Sequence, residues 1–304
     1  MEVFIVGLIS ATLRVSTPLI FGTLGELFAE RSGILNLGIE GTIFLGAFTG
    51  FAVTSITGSL WIGFFAAILS GVLSGLLMAL LSVRLGVNQH VSGLGISLLT
   101  TGFSLFAFRI IFGETTGVLP KIKPFTMVSP FGETRILGPI FEQYLLTYIA
   151  IGLIPVIWWI FNRTSFGLNI RSVGENPEAA DAAGINVYSV RTKALIIAGG
   201  LMGAAGAFLS IAQLGAFTYG IVAGRGWVCI ALVIFAHWRT IRVLWGSFLF
   251  AGVFALQLRL QNMGFSLPYE AFLALPYLVT IIALAIAGRN AIVPSALLKA
   301  YRRE

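Results

Sequence analysis

At 304 residues, the chain is 57% hydrophobic and 10% charged, with a mean hydropathy of +0.96 and a formal net charge of +7. A composition so apolar excludes an ordinary soluble domain and points to helices that cross a bilayer. The positive balance then reads as anchoring beside anionic membrane lipid, not as nucleic-acid binding.

A crossing needs about 20 apolar residues. Nine runs approach that length: 3–25, 33–57, 59–83, 88–112, 143–161, 192–214, 226–238, 243–261 and 271–288. They are continuous and rich in Leu, Ile, Phe, Ala and Gly, unlike the alternating segments of a membrane barrel. The predicted fold class is therefore all-α, a polytopic helical membrane protein of about nine transmembrane helices in a single domain, 1–304. Eight to ten spans fit the same pattern, because the short 226–238 run can be tilted or broken. The first run has no basic residue ahead of it and outlasts a secretory signal, so a cleavable signal peptide is not expected. Arg14 lies inside it, either facing a cavity or snorkelling to the interface.

After the first run comes a polar segment holding Arg31, Gly33, Asn36, Gly38, Glu40 and Gly41. Asn36 and Glu40 share a face if the segment is helical. Its glycines make the helix easy to break, which is how transporters expose backbone along a pathway. Glu40 is read equally as a pathway carboxylate or as an interfacial acid paired to a basic residue. Asn36 is expected to shape the backbone. Three GxxxG spacings, Gly46/Gly50, Gly71/Gly75 and Gly199/Gly203, favour close helix packing over sliding.

The fourth run opens on Asn88, Gln89, His90 and Ser92. These residues can line an inner mouth or satisfy a helix start, and the second reading is preferred. Arg109 and Arg259 sit near span ends, and Trp61, Tyr148, Trp158 and Trp159 fit interfacial belts. Between the fourth and fifth runs, 113–142 forms a proline-containing loop too short for a capture domain. Cys229, the single cysteine, is expected to be buried and inert.

Within the polar loop 163–193 lies Gly174, Glu175, Asn176, Pro177, Glu178, Ala179, Ala180, Asp181, Ala182, Ala183 and Gly184. Asn176 can cap a short helix, Pro177 suits its first position, and Gly184 can end it in a left-handed conformation. The alanines leave a bald surface for another protein, or the helix is merely a connector. Basic residues concentrate on this loop's side of the spans, which predicts a cytoplasmic loop, an external N-terminus and a cytoplasmic C-terminus. No lysine follows a glycine, so the chain carries no GxxxxGK[ST] phosphate loop. His90 and His237 belong to no HExxH or Cys/His cluster. Neither an enzyme nor a metal or cofactor is expected.

Three stretches carry a family resemblance: Gly25–Gly41 with Glu26, Glu30, Asn36 and Glu40; Phe166–Ala180 with Arg171, Glu175, Asn176 and Pro177; and Gly224–Trp227. With Asn88-Gln89 and Leu256–Arg259, they span nearly the whole chain. It resembles the permease subunit of an ABC importer, in the superfamily of branched-chain amino acid, ribose and nucleoside permeases, on the simple-sugar and nucleoside branch. The resemblance implies that 174–184 is a coupling helix docking on a separate ATP-binding subunit. It also implies an extracytoplasmic substrate-binding lipoprotein and a second permease chain, a longer paralogue ahead of a homodimer, in a bacterial inner membrane. Candidate pathway residues are Asn36, Glu40, Asn88, Gln89, Ser92 and Ser97. Ser97 stands where relatives commonly carry asparagine, and His237-Trp238-Arg239-Thr240 replaces a more familiar glycine-rich turn. The cargo implied is nucleosides first, simple sugars next. The competing reading is an ion-coupled secondary transporter with Glu40 as its proton or sodium site.

Overall fold

A computed structural model describes residues 2–113, 121–130, 132, 134, 137–262, 269–288 and 293–301. Parts of the expected 113–142 loop, and the basic residues Arg289, Arg302 and Arg303 near the C-terminal end, lie outside the described residues. Each of the nine apolar runs is a helix. The long ones are α1 (Glu2–Arg31), α2 (Ile39–Thr57), α3 (Leu60–Ala79) and α4 (Gln89–Phe112) in the first half. A five-residue helix, α5 (Leu137–Phe141), precedes α6 (Leu145–Arg163). The polar loop folds as α7 (Ser165–Glu175) and α8 (Pro177–Ala182), and then come α9 (Val187–Ala207), α10 (Arg225–Phe235), α11 (Thr240–Asn262) and α12 (Tyr269–Gly288). Leu80–Arg84 extends α3 and Phe208–Leu214 extends α9 as wider π-helical turns. Met127–Val128 pairs antiparallel with Gln143–Tyr144 in a two-stranded ribbon.

Seven of these helices are long and apolar enough to cross a membrane, and α10 and part of α12 are shorter apolar helices. The 226–238 run is short because the chain breaks on both sides of it. Gly224 precedes α10 at φ 76°, and His237 and Trp238 follow it at φ 51° and 54°. Left-handed backbone suits glycine but costs an ordinary residue about 1–2 kcal/mol. Two such residues in succession need tertiary support.

Helix α9 is the axis of the bundle, packed against α1, α2 and α3 and mostly buried. Hydrocarbon gives apolar helices little reason to associate, so close backbone approach must supply dispersion contact. Gly71 of α3 faces the Gly199 carbonyl, Gly75 faces that of Leu195, and Gly46 of α2 faces Gly203. The GxxxG pairs thus act as packing surfaces across helices. Gly199→Leu is expected to abolish recovery of folded protein in detergent, because its side chain would overlap the Gly71 backbone; Gly95→Leu, which meets open space, should leave the yield unchanged. Comparing monodisperse yield by size-exclusion chromatography checks the pair.

Candidate translocation and coupling sites

Between α1 and α2 the chain runs unwound from Ser32 to Gly38. Its backbone groups are buried, so side chains must satisfy them. The Glu26 carboxylate accepts from the Asn36 amide at 2.9 Å, and the Gln89 side chain accepts from Leu35 N at 2.8 Å and donates to Gly33 O at 3.3 Å. Asn36 accepts from Gly38 N at 3.0 Å through its own side chain, which also contacts Met202 Sδ at 3.7 Å. Asn36 and Gln89 therefore shape and clamp a broken helix.

Glu40 sits in the first turn of α2, half-buried, against the start of α10. Oε1 accepts from Gly224 N at 2.9 Å and Oε2 from Gly226 N at 2.7 Å. A carboxylate here covers orphan amides of one helix and faces the positive ends of two. Gly226 is required by the approach, since a Cβ there would lie 2.7 Å from Glu40 N and Cα. The 11 residues of α10 span about 16 Å, roughly half of what a ~30 Å hydrocarbon layer requires. Beside it Phe217 contacts Phe44, Phe48 and Phe108 at ring separations of 4.9, 5.6 and 5.2 Å. Glu40→Gln leaves one amide facing an NH2 group, a loss of about 1–3 kcal/mol. The expected result is a lower Tm and reduced uptake, with the variant-to-parent uptake ratio equal at acid and neutral pH.

The remaining predicted pathway residues are dispersed. Asn88 caps α4, accepting from His90 N at 2.9 Å and Val91 N at 3.4 Å, and both Asn88 and His90 are exposed. Ser92 is buried, with no hydrogen-bond partner for its hydroxyl among the described residues. Ser97 packs through its backbone on Gly41, where a larger residue at 41 would separate α2 from α4. So Asn36, Glu40 and Gln89 gather around the unwound segment, while Ser97 lies against α2 at Gly41 and Asn88 is exposed. Cys229 is fully buried with Sγ 3.7 Å from Leu19 O. Arg14 lies over the Tyr144 ring at 5.7 Å, and Arg259 donates to Phe4 O at 2.8 Å.

Sequence reasoning missed two fully buried acids one turn apart on α1, Glu26 and Glu30. Trp238 donates its indole N–H to Glu30 Oε2 at 2.6 Å, and Arg31 Nε donates to Trp238 O at 3.0 Å. This bracing holds the strained left-handed turn at His237 and Trp238. One oxygen of each acid lacks a partner among the described residues. The i,i+4 spacing was the available signal, but it also describes an ordinary charged helix end.

At the same end of the bundle, α8 is capped at both ends. Asn176 Oδ1 accepts from Ala179 N at 2.9 Å and Pro177 occupies the first turn. Gly184, at φ 85°, lets Ile185 N reach Ala180 O at 3.0 Å while Gly184 N reaches Asp181 O at 2.8 Å, a Schellman ending. Gly174, Pro177 and Ala180 turn inward and pack within the chain. Glu178, Ala179, Ala182, Ala183 and Gly184 face outward, and Asp181 is half-buried. Glu175 accepts from Ser295 N at 3.3 Å and Oγ at 3.0 Å. Beside it Ala296 N donates to Gly174 O at 2.9 Å.

Below the knob lies Arg191, 1% exposed. It donates to Ser32 O at 3.1 Å and to Lys299 O at 3.4 Å. One side chain thus joins the end of α1, the start of α9 and the C-terminal tail. The sequence had placed it only among basic loop residues.

Residues 8–284 match the family described as branched-chain amino acid transport system / permease component. The putative glucose ABC transporter permease protein TsgC13 of Haloferax volcanii is 39% identical, covering 99% of each chain. The guanosine ABC transporter permease protein NupQ of Bacillus subtilis is 34% identical over 91% of this chain and 90% of its own. The nucleoside ABC transporter permease protein NupC of Lactococcus lactis is 33% identical over 95% and 94%. No solved structure matches.

Proposed function

The chain belongs to the branched-chain amino acid transport system permease family, and from that premise we propose that it forms the pathway of an importer for nucleosides, with simple sugars second. As a family member it is a multi-pass permease subunit of an ABC importer and not itself an enzyme. ATPase and binding-protein partners come with that class. Relatives named for guanosine and for nucleosides support the first cargo, and one named for glucose supports the second.

The observation that carries the coupling role is the outward-facing, doubly capped α8, which follows α7 where Gly174 and Glu175 are bonded to the C-terminal tail at Ala296 and Ser295. An ATP-binding subunit pressing on α8 displaces α7 and the end of α1, where Gly174 faces the Arg31 carbonyl. The motion then reaches the unwound segment and the Glu40 junction. Asn36, Glu40, Gln89 and Ser97 belong to that moving element, and Phe217 with its aromatic neighbours forms an adjoining wall. A longer paralogue is the second permease chain, and the exposed apolar length of α4 offers it a surface. The α8 end faces the cytoplasm of a bacterial inner membrane, and an external lipoprotein delivers substrate. The ion-coupled reading loses support because both Glu40 oxygens are occupied by backbone amides.

Proteoliposomes containing the permease pair, ATPase and lipoprotein test this reading. Expected is vanadate-sensitive, ATP-dependent uptake of labelled guanosine, suppressed by unlabelled nucleoside and unaffected by glucose. Reversed competition would select the sugar reading. Uptake on an ion gradient without ATP would reject the importer.

A further inference from the structure

On the membrane face carrying α7 and α8, two neighbouring cavities of about 410 and 510 Å³ share Arg31, Arg239 and Arg242 as a wall. Three guanidinium groups around one space repel one another, and Arg171 adds a fourth positive charge beside Arg31. Arg171 Nε is buried with no partner, while Arg239 and Arg242 are exposed and have no side-chain hydrogen bond among the described residues. The carboxylate lining the first cavity, Glu175, offsets part of the charge around Arg31 while also accepting from Ser295, which leaves the arginines in excess. The cluster is also held in place at a cost. Arg239 directly follows the left-handed pair His237 and Trp238, which Glu30 and Arg31 brace. Strain and concentrated like charge together indicate a ligand that repays both.

The second cavity supplies the other half of the recognition chemistry. Its walls are Trp158 and Phe161 of α6 and Ile241 of α11. Trp158 and Ile241 are exposed, as is Trp245 one turn along α11. Positive charge at the mouth therefore continues into an apolar groove along the membrane-facing side. A small soluble anion would use only the charged part. An amphiphile with a phosphate head and alkyl chains would use both.

We propose that this double cavity binds the phosphate headgroup of an anionic phospholipid, with Arg31, Arg239 and Arg242 on the phosphate and Trp158 and Ile241 along an acyl chain. Basic pockets between membrane helices favour such headgroups by roughly 1 kcal/mol per positive side chain, or about fivefold each. The lipid neutralises the cluster and stiffens the contact between α1, α6 and α11 beside the coupling knob.

Native mass spectrometry of the detergent-purified full chain, titrated with dioleoyl phosphatidylglycerol, phosphatidylcholine or inorganic phosphate, tests the proposal. Phosphatidylglycerol should be retained well above phosphatidylcholine. The double variant Arg239→Gln/Arg242→Gln should lose roughly twenty-five-fold, two fivefold contributions combined. Arg84→Gln, an exposed arginine on α3's π-helical extension, should retain the lipid like the parent. Trp158→Ala should weaken lipid retention and leave any phosphate binding unaltered. Equal retention of the two lipids, or an unaffected double variant, overturns the proposal. Phosphate binding that is sensitive to the double variant, with no preference between lipids, would assign the site to a free anion and overturn the lipid. Weakened ATPase docking by the double variant, with lipid retention unchanged, would assign the arginines to protein contact and also overturn it.

Discussion

Ala182→Trp and Ala183→Trp are each expected to reduce ATP-driven uptake by more than about tenfold while the chain still folds and inserts. Both residues are exposed on α8, so an indole can project outward without disturbing the chain's own packing. The loss arises at the partner surface, where filling a complementary groove costs binding at a hot spot about 2 kcal/mol or more. Ala180→Trp is the informative contrast. Ala180 is buried, and its carbonyl receives the Ile185 amide. That change should lower the Tm of the isolated chain, whereas the Ala182 and Ala183 variants should not. Co-purification of the ATPase, measured with thermal unfolding, separates a blocked contact from a damaged knob.

Arg191→Leu carries the second large effect. Arg191 is buried and bonds the Ser32 and Lys299 carbonyls, so leucine strands two acceptors in one step. Each orphaned group costs about 1–3 kcal/mol. A fall in Tm of about 5 °C or more is expected, from roughly 2–4 °C per kcal/mol in chains approaching this size. Arg191→Lys keeps the charge but loses the planar fork that reaches both segments, so it should rescue only partly. Arg163→Leu, an exposed site, should leave Tm unchanged. A Tm for Arg191→Leu equal to the parent's would show that the tail and the end of α1 are joined by other contacts.

Local rules made much of this legible. The nine helices follow from continuous apolar runs, and the ends of α8 follow from Asn176, Pro177 and Gly184, whose capping depends on neighbouring residues. The broken start of α2 was also visible, because Gly33, Gly38 and Gly41 crowd a polar stretch. What Glu40 does was not visible. Its partners, Gly224 and Gly226, belong to a different helix, and no spacing rule links them. Arg191 reads in sequence as one more cytoplasmic anchor, and its partners come from the distant end of α1 and the returning tail. Glu30 and Trp238 illustrate the same limit. The Trp238 turn stood out as a departure from glycine, yet its compensating bond comes from an acid on α1. Long-range satisfaction of backbone and charge is where local reading ends.

The central claim is that force enters this bundle through α8. The most direct measurement places a photo-crosslinker at Ala182 in native membranes and identifies the captured protein with and without a non-hydrolysable ATP analogue. The account predicts capture of a nucleotide-binding subunit, with yield changing between the two states. Capture of lipid alone, or of no ATPase in either state, would contradict it.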